Sequence, residues 1–491
     1  MIEPNLRNPH YAGMSEKWDV VATCYVGTDA VKSGPLADGF LPIQNNELME
    51  KTRGKPVGRS QYELRKSMAT FENFFRPIVD DITGIMQKNP PKIAFGISEP
   101  TESPQEVRDI EFFGNRHNDG LKGLKWRLNA GQVLFGRYGL LLDIRANADG
   151  LEPQFCISEY PAQKILDGEM RTDQRTGNDS LRWVLLDESS YQYDEKEKQW
   201  EQVTRLRVLG VDGVGRYYQS VLSGDSCHED WRDFDFASPP EECTVYPLFK
   251  QRTLGFIPFT ACNTTRLGIA EWQDPPYLDV AHIALAAYQV DSWYKTAIRK
   301  HASPTLAICN ASSVPDELYL GDMIRVSGSG QNMASVSLLE TSASGLAEMR
   351  NAKNSLKESL RYSSIRDLLD GAGANSSGEA IQLRTASGTA FIAAVDNAGA
   401  RAIEEQLVYA AIWAGATQRE AGDRISYDAD TSYLDNKVQL QAVVAMLQAN
   451  QATGLLSSEN MYNVMSNALP GVLSSYDDNE VQKAVEMEGE L

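Results

Sequence analysis

The sequence predicts an α+β protein, from three successive textures along the chain. Through roughly the first 130 positions, apolar residues recur at three- and four-residue steps, the period of helices packed on one face. Between residues 134 and 271 the period falls towards two, in short runs rich in Val, Leu and Tyr that Gly, Asp, Ser and Pro interrupt. That is the pattern of an antiparallel layer. From residue 277 onwards long helical patterns return and enclose a short insert with strand-like runs.

Residues 15–28 read as an amphipathic, turn-rich stretch. Residues 60–88 read as a longer helix, with Tyr62, Met68, Phe71, Phe74, Phe75, Ile78, Val79, Ile82 and Ile85 on helical steps. Pro77 has no amide N–H to donate, which predicts a kink or division there. A further helix spans 107–135 through Ile110, Phe113, Leu121, Leu124, Trp126, Leu128 and Val133, with a break signalled by Gly114, Gly120 and Gly123. Strands are predicted over 138–144, 181–187, 203–211, 216–222 and 244–250. The acids and lysines of 187–201 predict an exposed hairpin. Past Pro275 and Pro276, residues 277–301 read as a helix of about 25 residues, roughly 37 Å long at 1.5 Å per residue. Ser303 and Pro304 end it, because proline disfavours helix in the residue before it.

Residues 305–339 read as a compact mixed insert, with strands at 305–308, 323–326 and 335–339 and turns at Gly328 and Gly330. A second helix covers 344–369, with Leu346, Met349, Ala352, Leu356 and Leu360 as its apolar stripe and Lys353, Lys357 and Arg361 on other faces. Residues 370–378 are too small and glycine-rich to be ordered by their own packing. The helix predicted at 379–414 runs to nearly 36 residues against a mean of about 11–12, so it must lie along a large assembly or sheet. A strand at 424–427, helices at 435–452 and 458–468, and an acidic tail from 474 complete the chain.

Composition narrows the function. The chain has 491 residues, enough for about three domains, and 42% of them are hydrophobic. Its 67 acidic residues outnumber 47 basic ones, for a net charge of −20. A protein that grips nucleic acid by neutralising phosphates needs the opposite balance. Cys24, Cys156, Cys227, Cys243, Cys262 and Cys309 include no C-x-x-C pair and read as reduced thiols, not a disulfide framework. No apolar run follows a basic start, so no signal peptide is expected. No stretch of about 18 uncharged apolar residues predicts a membrane span.

Compact catalytic motifs are missing from the sequence. There is no phosphate-wrapping G-x-x-x-x-G-K-[ST], and Gly210, Gly213 and Gly215 have the spacing of a hairpin turn, not of a dinucleotide loop. His228 and Glu229 begin like a zinc-protease helix, but Arg232 stands where the second histidine belongs. Cys227, His228, Cys243 and Cys262 match no zinc spacing. Asp428 and Asp430 lack the glycine turn and downstream glutamate of a calcium loop, and Ser329 lacks the G-x-S-x-G frame. No cofactor or metal is therefore expected. A hydrolase would have to use an unmotifed carboxylate pair such as Asp80 and Asp81, or Asp428 and Asp430. Adjacent helical residues diverge by about 100°, so Asp80 and Asp81 cannot face one substrate. The preferred class is a structural and interaction protein without an active site.

Several blocks of sequence carry a resemblance. "NPHYAGMSEKWDVVATCYVGTDAV" (8–31) with "FLPI" (40–43), "FENFFRPIVDDITGIMQKNPPKI" (71–93), "GQVLFGRYGLLLDI" (131–144), "GFIPF" (255–259), "PPYLDVAHIALAAYQVDSWY" (275–294) and "SSGEAIQLR" (376–384) resemble, in order, one family of portal proteins of tailed bacteriophages. Two features depart from that family: the region after Tyr433 is short for a large crown, and the loop after Ser189 is unusually charged.

The resemblance implies a portal-like subunit. Its parts would be a wing over 1–276, a first stem helix over 277–302, a small clip over 303–340 and a second stem helix over 341–369. A tunnel loop would follow at 370–378, then a long wing helix and return strand over 379–434, and a short crown with an acidic tail over 435–491. Twelve such subunits usually form a ring at one capsid vertex, made in the host cytoplasm and carried in the virion. Double-stranded viral DNA enters through that ring during packaging and leaves during ejection. The implied partners are further copies of the chain, the terminase large subunit, a head–tail adaptor or tail protein, and the major capsid and scaffolding proteins, with no membrane. Gly371, Gly373, Asn375, Ser376, Ser377 and Gly378 would then line the channel. Arg350, Lys353, Lys357 and Arg361 would either face the channel or pair with acids of a neighbouring subunit. Twelve copies at −20 each carry −240, a wall that repels DNA and lets it slide. The alternatives are the carboxylate hydrolase and a minor capsid or adaptor protein.

Overall fold

Helix α1 (Pro9–Val26) begins where the sequence supplies its cap. The Asn8 side chain accepts a hydrogen bond from the His10 amide at 2.9 Å, and Pro9 occupies the first turn, where no N–H is needed. Gly27, at φ +109°, ends it. One continuous helix therefore covers the stretch read as turn-rich, and buries Tyr11, Met14, Trp18 and Val21 along one side. This computed structural model describes residues 8–43, 61–96, 103–117, 119–145, 153–172, 179–194, 198–223, 234–268, 272–302, 305–309, 335–339, 344–362 and 378–431. The chain divides into compact units at 1–429 and 430–491. The helices expected at 435–452 and 458–468 and the acidic tail lie outside the described residues.

The helix expected over 60–88 is two helices, α2 (Gln61–Met68) and α3 (Phe75–Met86). The division falls upstream of Pro77, which sits in the first turn of α3, where its missing N–H costs nothing. In the gap the Thr70 amide donates to the Asp291 carboxylate, and the Asn73 side chain accepts from the Arg76 amide. The backbone there has partners outside any helix. The pattern over 107–135 likewise divides into two short turns, Gln105–Arg108 and Ile110–Phe113, and helix α4 (Gly120–Phe135). Asn115 holds the break by donating to the Gly120 carbonyl at 2.6 Å and accepting from the His117 amide.

The β-region forms an antiparallel five-stranded sheet of order β10-β9-β8-β5-β4, built from β4 (Ile165–Thr172), β5 (Asp179–Asp187), β8 (Arg205–Val211), β9 (Tyr217–Ser223) and β10 (Thr244–Val245). A three-stranded sheet of order β11-β2-β3 joins it, from β2 (Arg137–Arg145), β3 (Gln154–Pro161) and β11 (Phe259–Asn263). The expected strand at 244–250 shrinks to two residues. Lys250 and Gln251 take positive φ, and the chain doubles back so that Phe249 pairs with Arg252. The turn at Gly213 and Gly215 is a hairpin between β8 and β9. The Asp212 carboxylate accepts from the Val214 and Arg216 amides, and Gly215 takes φ +89°. The charged hairpin is present as β6 (Ser190–Asp194) and β7 (Gln199–Val203).

Both faces of the five-stranded sheet are buried. Val184, Leu186, Leu209 and Tyr217 enter one core with β2, β3 and α4, while Leu185, Val208, Tyr218 and Leu222 enter a second core with Tyr11, Met14 and Trp18 of α1. Period-two alternation thus separates two apolar sets, which explains why these strands read as nearly continuous apolar runs.

Two helices leave this body and return. Helix α5 (Leu278–Ala302) leads into β12 (Thr305–Cys309), and β13 (Ser335–Leu339), antiparallel to it, leads into α6 (Ser344–Tyr362). The strand expected at 323–326 and the helical residues 363–369 lie outside the described residues. Helix α7 (Gly378–Ala414) then buries Ile403, Leu407 and Trp413 in the first core. After it come α8 (Gln418–Arg424), opened by a Thr417–Glu420 capping box, and β14 (Ile425–Asp428), which pairs with β1 (Lys92–Phe95).

Where α7 crosses α4, Gly399 permits a close approach: a Cβ there would lie 2.4 Å from Asn129 Oδ1 and 3.0 Å from Gln132 Oε1. Gly399→Ala is therefore expected to lose about 1–3 kcal/mol by overpacking, despite alanine's better helix propensity. Equilibrium denaturation measures it.

Candidate functional site at the base of the helical hairpin

Two of the basic residues singled out in the sequence converge on one carboxylate cluster. Asp291, on α5, is only 1% exposed. Its Oδ1 accepts from Lys353 Nζ of α6 at 2.5 Å, and its Oδ2 from Lys295 Nζ, one turn along α5, at 3.1 Å. The Thr70 amide donates to the same Oδ2 at 2.8 Å. Lys353 also reaches Glu72 at 3.0 Å, and Lys357 reaches it at 2.6 Å. Lys295 donates in addition to the Thr70 hydroxyl. Arg65 of α2 bridges the Ser292 hydroxyl and the Pro42 carbonyl. Phe71 packs edge-on against Tyr288, and Leu360 is buried. The segment between α2 and α3 is thereby fastened to both arms of the helical hairpin.

The electrostatics are cooperative. Burial alone would raise the Asp291 carboxyl, but hydrogen bonds from Lys353, the Thr70 amide and Lys295 outweigh it and hold the group below the usual carboxylate range. Glu72 follows the same logic, with burial opposed by Lys357 and Lys353. Burial would lower the Lys353 ammonium, and the two carboxylates raise it above its ordinary value. The cluster has no nucleophile and no open carboxylate pair. What it does is fix the direction in which the two helices leave the body.

Lys353 and Lys357 thus find acidic partners within their own chain. Arg350 is exposed on α6. Arg361 belongs to α6, but its side chain lies outside what is described. Gly378 opens α7, and Gly371, Gly373, Asn375, Ser376 and Ser377 lie outside the described residues. The other candidates do not assemble. Asp80 accepts from the Tyr25 hydroxyl and pairs with Arg76, and Asp428 ends β14 opposite Lys92. Cys262 is buried against the Tyr138 carbonyl, while Cys243 faces the Pro240 carbonyl. Cys227 and His228 lie outside the described residues, and no metal-binding group of His, Cys, Asp or Glu occurs among the described ones. No described helix is long and apolar enough to cross a membrane.

Sequence reasoning missed Asp291, Glu72 and Lys295. The Asp291–Lys295 spacing of four was visible as a helical ion pair. Glu72 carried no local signal, because its partners lie more than 280 positions away.

No family model matches the sequence. No curated protein matches it either. Among solved structures, the chain is similar to the neck of an empty GTA particle computed with C6 symmetry. Identity is 14% and the TM-score 0.38, over 85% of this chain and 97% of that one. It is also similar to the neck of a native GTA particle computed with C12 symmetry, at 12% identity and a TM-score of 0.33, over 85% of this chain and 98% of that one.

Proposed function

We propose that the chain is the subunit of a ring-shaped portal channel, set at one capsid vertex, through which double-stranded DNA is packaged and ejected. The observation that carries this reading is the helical hairpin α5–β12–β13–α6, clamped at its base by Asp291 and Glu72 and standing on an α+β body. It is supported by the ordered sequence blocks that resemble phage portals. On this reading 1–276 and 379–434 are the wing, α5 and α6 the stem, and 303–340 the clip that meets the terminase and, later, the adaptor or tail. Residues 370–378 are the tunnel loop and 435–491 the crown. Capsid and scaffolding proteins seat the ring.

Lys353 and Lys357 are engaged within the chain, so of the stem bases singled out in the sequence Arg350, exposed on α6, is the one proposed to meet DNA or a neighbouring subunit. The net charge of −20 suits a channel that must not hold phosphates.

Electron microscopy of the expressed protein with two-dimensional classification tests the proposal. Rings with a central hole are expected, alone or with scaffold and capsid partners, and the classes give the subunit count. A monomer that stays monomeric with those partners overturns the reading.

A further inference from the structure

Two surface features lie off opposite ends of β5. Beyond its C-terminal end stands the β6–β7 hairpin, which pairs with no other described strand. Its register puts Tyr191, Tyr193, Trp200 and Gln202 on one face. The Tyr193 and Trp200 rings meet at 5.6 Å, and Trp200 is 68% exposed. A lone two-stranded hairpin is marginally stable in water, and three exposed aromatics on one face make a surface that calls for cover. Lys198, also exposed, stands two residues from Trp200.

At the N-terminal end of β5, Leu181 helps to wall a cleft of about 510 Å³, with Phe256, Leu267, Val408 and Ile412 among its apolar residues. Glu405 supplies a carboxylate there. Its Oε2 accepts from the Thr260 hydroxyl at 2.8 Å and the Tyr409 hydroxyl at 3.3 Å, both uncharged donors. No lysine or arginine among the described residues pairs with it, and burial pushes the carboxyl up. From Leu181 to Asp187, β5 carries the chain about 20 Å away from the cleft at roughly 3.3 Å per residue.

We propose that the β6–β7 hairpin of one copy docks into this cleft on a second copy, its aromatic face against the apolar wall and Lys198 beside Glu405. Apolar surface meets apolar surface, and a cation meets a carboxylate that has none. Two unlike patches on one chain make a head-to-tail contact, and such contacts close into a ring when the rotation between subunits permits. The inference rests on the ring-forming reading and names a contact that reading leaves unspecified.

The full chain is made with Trp200→Cys and Leu267→Cys together, in a Cys227→Ser, Cys309→Ser background, because Cys309 is exposed. Mild oxidation of the rings is expected to give a ladder of linked subunits that neither single cysteine variant gives. Glu405→Lys is expected to raise the concentration needed for ring assembly at least tenfold, and adding Lys198→Glu to restore it. Trp200→Ser, at an exposed position that leaves the core intact, is expected to weaken assembly in the same direction. Normal ring assembly of Trp200→Ser, together with rings of the double cysteine variant that give no ladder, overturns the hairpin contact and leaves the portal reading standing. An unmodified chain that forms no rings even with scaffold and capsid partners overturns both.

Discussion

Asp396→Ala is expected to destabilise the protein by about 3–5 kcal/mol, because it strands a buried ammonium. Lys125 of α4 and Asp396 of α7 are 2% and 0% exposed and lie 2.8 Å apart. Asn129 also donates to Asp396, at 2.9 Å. Removing the carboxylate leaves Lys125 the Met86 carbonyl at 3.4 Å, a weak substitute for an ion pair. Replacing both ions, by Lys125→Met with Asp396→Leu, is expected to recover most of the loss, since well-packed apolar residues often match a buried pair. Urea denaturation followed by tryptophan fluorescence measures both variants. A loss below about 1 kcal/mol for Asp396→Ala, within the range of surface pairs, would show that water reaches Lys125.

The second large effect is expected at the clamp. Lys353→Ala removes the ammonium shared by Asp291 and Glu72, leaving Asp291 to Lys295 and the Thr70 amide, and is expected to cost about 3 kcal/mol. The loss should be local: hydrogen exchange should rise in α6 and in residues 69–74 and stay unchanged in β2 and β5. The clamp also carries a pH signature. Asp291 and Glu72 have depressed carboxyls, so their contribution is complete above the unfolded values of about 4. It is lost as pH falls through the still lower folded values. Lys353 is raised, so its contribution is present below about 10.5 and is lost only as pH climbs through its folded value. Protection of α6 should therefore be flat from about pH 5 to 10 and fall first on the acid side. Equal loss in α6 and β5 at acid pH would refute a separate clamp.

Much of the fold is legible wherever one local signal governs. The bounds of α5 and α7, the charged hairpin and the β8–β9 turn follow from periodicity, proline and the Asp-Gly turn chemistry. Misreadings come from distant partners. Residues 69–74 look helical because their phenylalanines keep helical spacing, yet the Thr70 amide is taken by Asp291, 221 positions away. Strands β3, β4 and β11 escape notice for different reasons. β11 is five buried residues without alternation, and β4 is polar at its far end and irregular in register. Of the site, Lys353 and Lys357 stand out as charges on a helix, but their counter-ions belong to α5 and to a loop that no sequence spacing connects to them.

Helix α7 has one mechanical consequence. Its 37 residues make a strut of about 55 Å at 1.5 Å per residue, and the Lys125–Asp396 pair and the Gly399 crossing grip it near its midpoint. A rod held at its middle turns as a lever: a tilt of about 5° moves the Gly378 end and the Trp413 end by roughly 2 Å in opposite directions, from half the rod's length. A tilt of α7 would thus be felt at Trp413, deep among Phe155 and Tyr217, and through it by the first core.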